Sequence, residues 1–417
     1  RRHRHILAMK QERVLTLGSG SPASRSLSVT SAAPSAASPV RLALGGLLSL
    51  AAAMGIGRFV YTPVLPFMIA QVPLSKADGG LIASANFLGY LVGALAASSG
   101  SLPGSRRMWF IGSLIASSAL SFAMAWTDSI PVFMLLRFLA GLASAFAFVF
   151  SAALILDRLA QAGRPGLSAL YFSGVGAGIA GSALIVSGLA AMGADWHGLW
   201  TGCGVISLAL TVLIAWMVPG ATETAPPAPA KTGPRRLPAG LPQLIAAYGL
   251  FGIGYVVTAT FIAVIARSDP ALATAEPYLW LIVGLAAAPS IFIWNRIAAR
   301  MGVPRAYALA CVIEACGVAL SVTATGPAGI LLAAFLLGIT FMGITALGLI
   351  EARRLSTGDP RRTIALMTAS FGLGQMLGPS LAGFAAGSTG SFALPSAGAA
   401  ICLLLAAGLV LVPARQQ

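Results

Sequence analysis

The chain has 417 residues, of which 57% are hydrophobic and 9% charged, and its formal net charge is +15. A soluble globular domain carries about 25% charged residues, so a water-covered surface is excluded for most of this chain. The basic residues lie in the gaps between apolar stretches rather than in one patch with interleaved aromatics, which excludes a nucleic-acid interface and reads as a topology signal.

Residues 1–40 are rich in Ser, Ala, Pro and Arg and contain no apolar run long enough to span a bilayer. The basic stretch Arg1 to Arg13 leads into Ser-rich sequence rather than an apolar core, so it does not read as a signal peptide. It is expected to be a disordered cytoplasmic tail, with Met9 or a later codon as a candidate start.

A spanning helix needs about 20 mostly apolar residues. Twelve such stretches follow: 41–70, 78–100, 108–127, 130–156, 167–192, 197–218, 243–266, 276–298, 305–325, 327–350, 364–388 and 392–412. They are continuous apolar runs without the alternation of a porin strand. The predicted class is therefore an all-α membrane protein.

With the amino end inside, the cytoplasmic loops hold Arg106, Arg107, Arg158, Arg164, Lys231, Arg235, Arg236, Arg296, Arg300, Arg305, Arg353, Arg354, Arg361 and Arg362. The six opposite loops hold only Lys76 and Arg267. Such a split is the positive-inside signal and puts both termini in the cytoplasm.

After the sixth stretch the composition changes to PGATETAPPAPAKTGPRRLPAG, a Pro-rich, semi-extended linker. It separates a bundle at 41–218 from a bundle at 243–412, with 219–242 as the cytoplasmic linker. The halves repeat one another. Gly55-Ile56-Gly57 before RFVYT matches Gly252-Ile253-Gly254 before YVVT, and Phe138-Leu139-Ala140-Gly141 matches Phe335-Leu336-Leu337-Gly338. Gly174 and Gly178 in the fifth stretch match Gly374 and Gly378 in the eleventh. Six helices per half make the repeats parallel, related by an axis along the membrane normal.

The strings GIGRFVYTPVLPFM and SANFLGYLVGAL, with RFLAGLASA and FGLGQMLGPSLAG, resemble the YbfB/YjiJ family of the major facilitator superfamily, from about 41 to 412. The resemblance implies twelve helices in two six-helix bundles and a monomeric secondary carrier of a small solute. Alternating access in a bacterial inner membrane would be its mode of action. A drug or amphiphile efflux antiporter of the same fold stays open, and an integral-membrane enzyme is the rival class. The superfamily's acidic-basic loop pattern is altered here. SGSLPGSRRM keeps Arg106 and Arg107 without an acid, and WNRIAARMG places Asn295 and Arg296 where Asp-Arg would stand. Asp157 and Glu351, at the ends of the fourth and tenth helices, are the expected partners of these arginines in a cytoplasmic gate.

Of 26 basic residues, only Arg58 and Arg137 fall inside apolar stretches away from their ends. A charge at the bilayer centre costs at least about 2.5–3.5 kcal/mol, so such residues face a cavity or pair internally. Both fall at similar depth. Two guanidiniums on one cavity would suit a carboxylate or other anion. The alternative for Arg137 is structural, bonding backbone carbonyls as in a helix-four motif that it resembles.

Tyr61, Asn86, Tyr255 and Gln375 are further candidate solute contacts, each also readable as a helix–helix contact. Glu314 is the acid deep in a span, and on a ninth helix that the resemblance makes peripheral it is not expected to carry protons. Protons are the expected coupling ion, with facilitated diffusion or anion exchange open. There is no GxxxxGK[ST] for nucleotide drive, and neither a catalytic triad nor a metal or cofactor site can be assembled. Cys203, Cys311, Cys316 and Cys402 lie in apolar runs without CxxC spacing and read as small hydrophobes.

Overall fold

In hydrocarbon every backbone N–H and C=O must find a partner within its own segment, so apolar runs of this length resolve into helices. The computed structural model describes residues 38–98, 102–220, 237–356 and 360–412, which form helices joined by short turns, with no strand among them. Most of the expected tail (1–37) and the core of the expected linker (221–236, with Lys231, Arg235 and Arg236) lie outside the described residues.

Twelve long helices follow. They are α1 (Pro39–Gln71), α2 (Lys76–Ser98), α3 (Arg106–Met124), α4 (Ile130–Gln161), α5 (Ser168–Ala191), α6 (Trp196–Met217), α7 (Leu241–Ser268), α8 (Glu276–Met301), α9 (Val303–Thr323), α10 (Pro327–Leu355), α11 (Pro360–Thr389) and α12 (Ala393–Leu411). Eleven have the length and composition to cross a membrane. The exception, α11, is diluted by Gly, Ser and Thr. It is nevertheless 30 residues long and packs between α2 and α7, with Leu373, Leu377, Leu381 and Phe384 exposed as an apolar flank of its own. Exposed Leu184, Val212, Leu285, Phe292 and Leu404 give other helices the apolar flanks that lipid requires.

Local signals set the helix starts. Ser38 caps Arg41 N–H ahead of Pro39 at the first turn of α1. Ser75 and Asp78 cap each other's backbone N–H at the start of α2, and Asp195 caps α6. Gly302, at φ +88°, is the single residue between α8 and α9, a conformation that L side chains rarely adopt.

Helix pairings recur six helices later. The pairs α1–α5, α2–α4, α3–α4 and α3–α6 have their counterparts in α7–α11, α8–α10, α9–α10 and α9–α12. The match extends to residues. Gly141 lets α4 approach the Asn86 carbonyl, and Gly338 lets α10 approach the Val283 carbonyl; 338 − 141 and 283 − 86 both equal 197. The halves meet along two seams, α2–α11 and α5–α8, which exchange under the same relation. Thr62 Oγ1 donates to the carbonyl of Ala259, 197 residues away and its own counterpart, at 2.8 Å. A contact between equivalent positions is what a two-fold axis between α1 and α7 requires.

Successive crossings put both described ends and most loop arginines on one face, here the basic face. Near the opposite face the halves close on each other. Gly80 gives way to the Pro379 carbonyl, Ser380 donates to Ser84 at 2.7 Å, and Lys76 Nζ donates to the Gly390 carbonyl at 2.9 Å. A Cβ at Gly80 would enter the α11 backbone. Ser84→Cys with Ser380→Cys, in a chain without its four cysteines, should therefore form a disulfide on mild oxidation. Adding Gly80→Val should greatly reduce that cross-link on a denaturing gel; an unchanged yield would contradict the seam.

Candidate substrate-binding site

The site begins with an irregularity in α1. Residues Ala51–Phe59 form a π-helical stretch, and all from Ala52 to Phe59 are buried. Pro63, four and five residues beyond Phe59 and Arg58, supplies no N–H to their carbonyls. Inserted π turns commonly accompany such a break and widen the helix where function needs it.

Arg137 takes one of them, the Arg58 carbonyl, together with the Gly57 carbonyl beside it. Its Nη1 donates to Gly57 O at 3.1 Å and its Nη2 to Arg58 O at 2.6 Å, with the guanidinium over the rings of Tyr61 (5.1 Å) and Trp200 (5.7 Å). Asn86 Nδ2 donates to the carbonyl of Arg137 at 2.9 Å. Of the two readings left open by the sequence, carbonyl bonding is the one present here.

Arg58 is differently placed. It is 4% exposed. Its Nη2 donates to Gln375 Oε1 at 2.9 Å, from α1 in one half to α11 in the other. Tyr90 lies 3.8 Å and Phe87 4.9 Å from the guanidinium carbon by ring centroid, a cation–π enclosure. Gln375 Nε2 in turn donates to the Tyr255 hydroxyl. Tyr255 stacks nearly parallel between Phe341 and Phe371, 5.8 Å from each.

Both ion pairs among the described residues, Arg267–Glu276 and Arg354–Glu351, lie elsewhere. Neither Arg58 nor Arg137 has a carboxylate partner. Arg58 Nε, Arg137 Nε and Asn86 Oδ1 have no hydrogen-bond partner either. Together with Tyr61, Thr62 and Phe87, these three residues line a cavity of about 10 Å³, the size of one water. The arrangement offers anion donors in a pocket now closed by protein.

All six candidate contact residues gather here. Five join through the bonds just described. Tyr61 lies beneath Arg137 and spends its hydroxyl on the Gly79 carbonyl at 3.0 Å. Sequence reasoning missed Tyr90 and Phe87. Tyr90 is one helical turn from Asn86, and that spacing was the available signal. The aromatic layer around Tyr255 had no such signal.

Leaving Arg106 aside, the gate residues do not pair with one another in this conformation. Arg107 donates to the Ala215 and Val218 carbonyls and so caps the end of α6. Glu351 pairs with Arg354 one turn away. Asp157, Asn295 and Arg296 are exposed, with Arg296 over Phe292 of its own helix. Arg106 starts α3. Glu314 faces the interior of its half, fully buried, with neither carboxylate oxygen bonded. Tyr307 and Cys311 share its face of α9 by helical spacing. Cys203 and Cys311 are buried, Cys402 half-buried and Cys316 exposed, all free.

The family described as "Uncharacterised MFS-type transporter YbfB" matches residues 50–411. No curated protein matches the sequence. Among solved structures, the nucleoside transporter NupG superposes with a TM-score of 0.67 at 14% identity, covering 89% of this chain and 98% of its own. A bacterial homologue of the human lysosomal transporter Spinster, inward-facing and occupied, gives 0.63 at 16% identity, covering 89% and 95%. At these identities the likeness is one of fold.

Proposed function

The chain belongs to the MFS-type transporter family of YbfB, and on that premise we propose that it carries a small organic anion across a bacterial inner membrane by alternating access. The basic face is then cytoplasmic, following the positive-inside rule, and the monomer is the working unit. One observation carries the anion reading: Arg58 is buried on the line between the two halves with a neutral amide and aromatic rings around it and no carboxylate. A guanidinium so enclosed is a receptor for a carboxylate or phosphate, which its planar fork binds bidentately. As the halves rock, the solute's anionic group replaces Gln375 on Arg58, and Asn86 and Tyr255 supply the remaining hydrogen bonds. Arg106, Arg107, Asp157, Asn295, Arg296 and Glu351 then form the cytoplasmic gate of the other state. The coupling ion is a proton.

The test is counterflow in proteoliposomes across a panel of organic anions, amino acids, nucleosides and cationic dyes, with and without a proton gradient. Exchange of an anion, reduced by an uncoupler, is expected. A cation as the exchanged solute would reject the anion reading in favour of drug efflux. Indifference to the uncoupler would reject protons.

A further inference from the structure

A carrier that moves solute in one net direction must also return empty. For this chain the empty return takes Arg58 through the bilayer without its anion, and an unpaired buried guanidinium opposes that step. The structure holds Arg58 in a closed site with Nη2 bonded to Gln375 Oε1, while Nε has no partner.

We propose that Gln375 is an internal stand-in for the solute, whose amide oxygen occupies Arg58 in the empty carrier and closes the two halves on each other. The proposal rests on the reading of Arg58 as the anion anchor and assigns Gln375 the part that decides between net transport and obligatory exchange.

Three features support the assignment. The bond crosses between halves, joining residues 317 apart, so it exists only when α1 and α11 are together. It lies on the same side of the molecule as the Thr62–Ala259 and Ser84–Ser380 bonds that hold the halves closed. Gln375 is also fixed from behind. Its amide nitrogen donates to Tyr255, which is the repeat counterpart of Arg58 and is clamped between Phe341 and Phe371.

The oxygen is thereby aimed at the guanidinium. A neutral amide suits this role better than a carboxylate would. It satisfies the donor, yet a charged solute makes the stronger hydrogen bond and displaces it. The same chemistry excludes Gln375 as the primary recognition group, since an acceptor facing the cation competes with the solute.

The experiment reads closure without any solute. Ser84 is 6% exposed in the seam, so Ser84→Cys in a chain lacking its native cysteines should react with a water-soluble maleimide only when the halves part. With the protein in nanodiscs, Gln375→Leu should raise the labelling rate about tenfold or more, since hydrogen bonds to charged groups bias an equilibrium by that order. Gln375→Glu, which pairs Arg58 with a fixed carboxylate, should lower it. In an Arg58→Ala background Gln375→Leu should change nothing, because the coupling is pairwise.

A rate for Gln375→Leu within twofold of the parent would overturn the proposal. So would an equal rise in the Arg58→Ala background. Opposite shifts from Leu and Glu at one position cannot both come from misfolding. Failure of the anion reading would show separately, as anion counterflow retained by Arg58→Ala, while this labelling series contains no solute.

Discussion

Arg58→Ala is expected to abolish solute exchange in proteoliposomes while the protein inserts and purifies at the parent level. The side chain makes one hydrogen bond, to a residue of the other half, and otherwise stacks on Tyr90 and Phe87. It bonds no backbone group that a fold would miss. Removing one partner of a buried, hydrogen-bonded charge pair costs roughly 2–5 kcal/mol, about 30-fold to several-thousand-fold in affinity. Arg58→Lys keeps the charge and loses the planar fork and the stacking face, so it should leave weak, easily saturated-out exchange rather than none. Initial rates against solute concentration separate the two variants. Full activity in Arg58→Ala at normal abundance would remove the anchor on which the proposed function stands.

Arg137→Ala should fail in a different way. Here the loss falls on α1, whose buried Gly57 and Arg58 carbonyls would lose their guanidinium donor. Interhelical hydrogen bonds in membranes are worth about 0.6–2 kcal/mol each, so losing two costs roughly 1–4 kcal/mol. The expected result is less folded protein and an earlier melting transition, with whatever remains folded still able to bind the solute weakly. Arg137→Lys can bond one carbonyl and should recover part of the stability. Thermal melting followed by size-exclusion chromatography checks this. A variant that melts like the parent but cannot exchange solute would return Arg137 to the binding set.

The twelve helices were legible from the sequence to within a few residues, because hydropathy is a sum over local residues and lipid asks only for a long enough apolar run. The parallel repeat was legible too. Glycines recur at nearly one offset, and the fold uses them at equivalent crossings, as at Gly141 and Gly338. The six contact candidates could be found because a polar group in an apolar run is conspicuous. The gate residues follow from the family's loop pattern and from charge, and charges at a wet surface have several partners open to them. Arg107 took the α6 carbonyls and Glu351 took Arg354.

What the sequence determined by itself is therefore the material of the site: two arginines of the same type, in spans of similar hydropathy, at similar depth. Only the tertiary structure decided that they meet different partners. The π stretch ahead of Pro63 exposes carbonyls on α1, and α4 delivers Arg137 to them across 79 and 80 residues of chain. Arg58, on the same stretch, is left to meet Gln375 from 317 residues away. A hydrogen bond is a relation between two positions, set by how helices pack, and burial in lipid makes each such relation compulsory without indicating which partner will supply it.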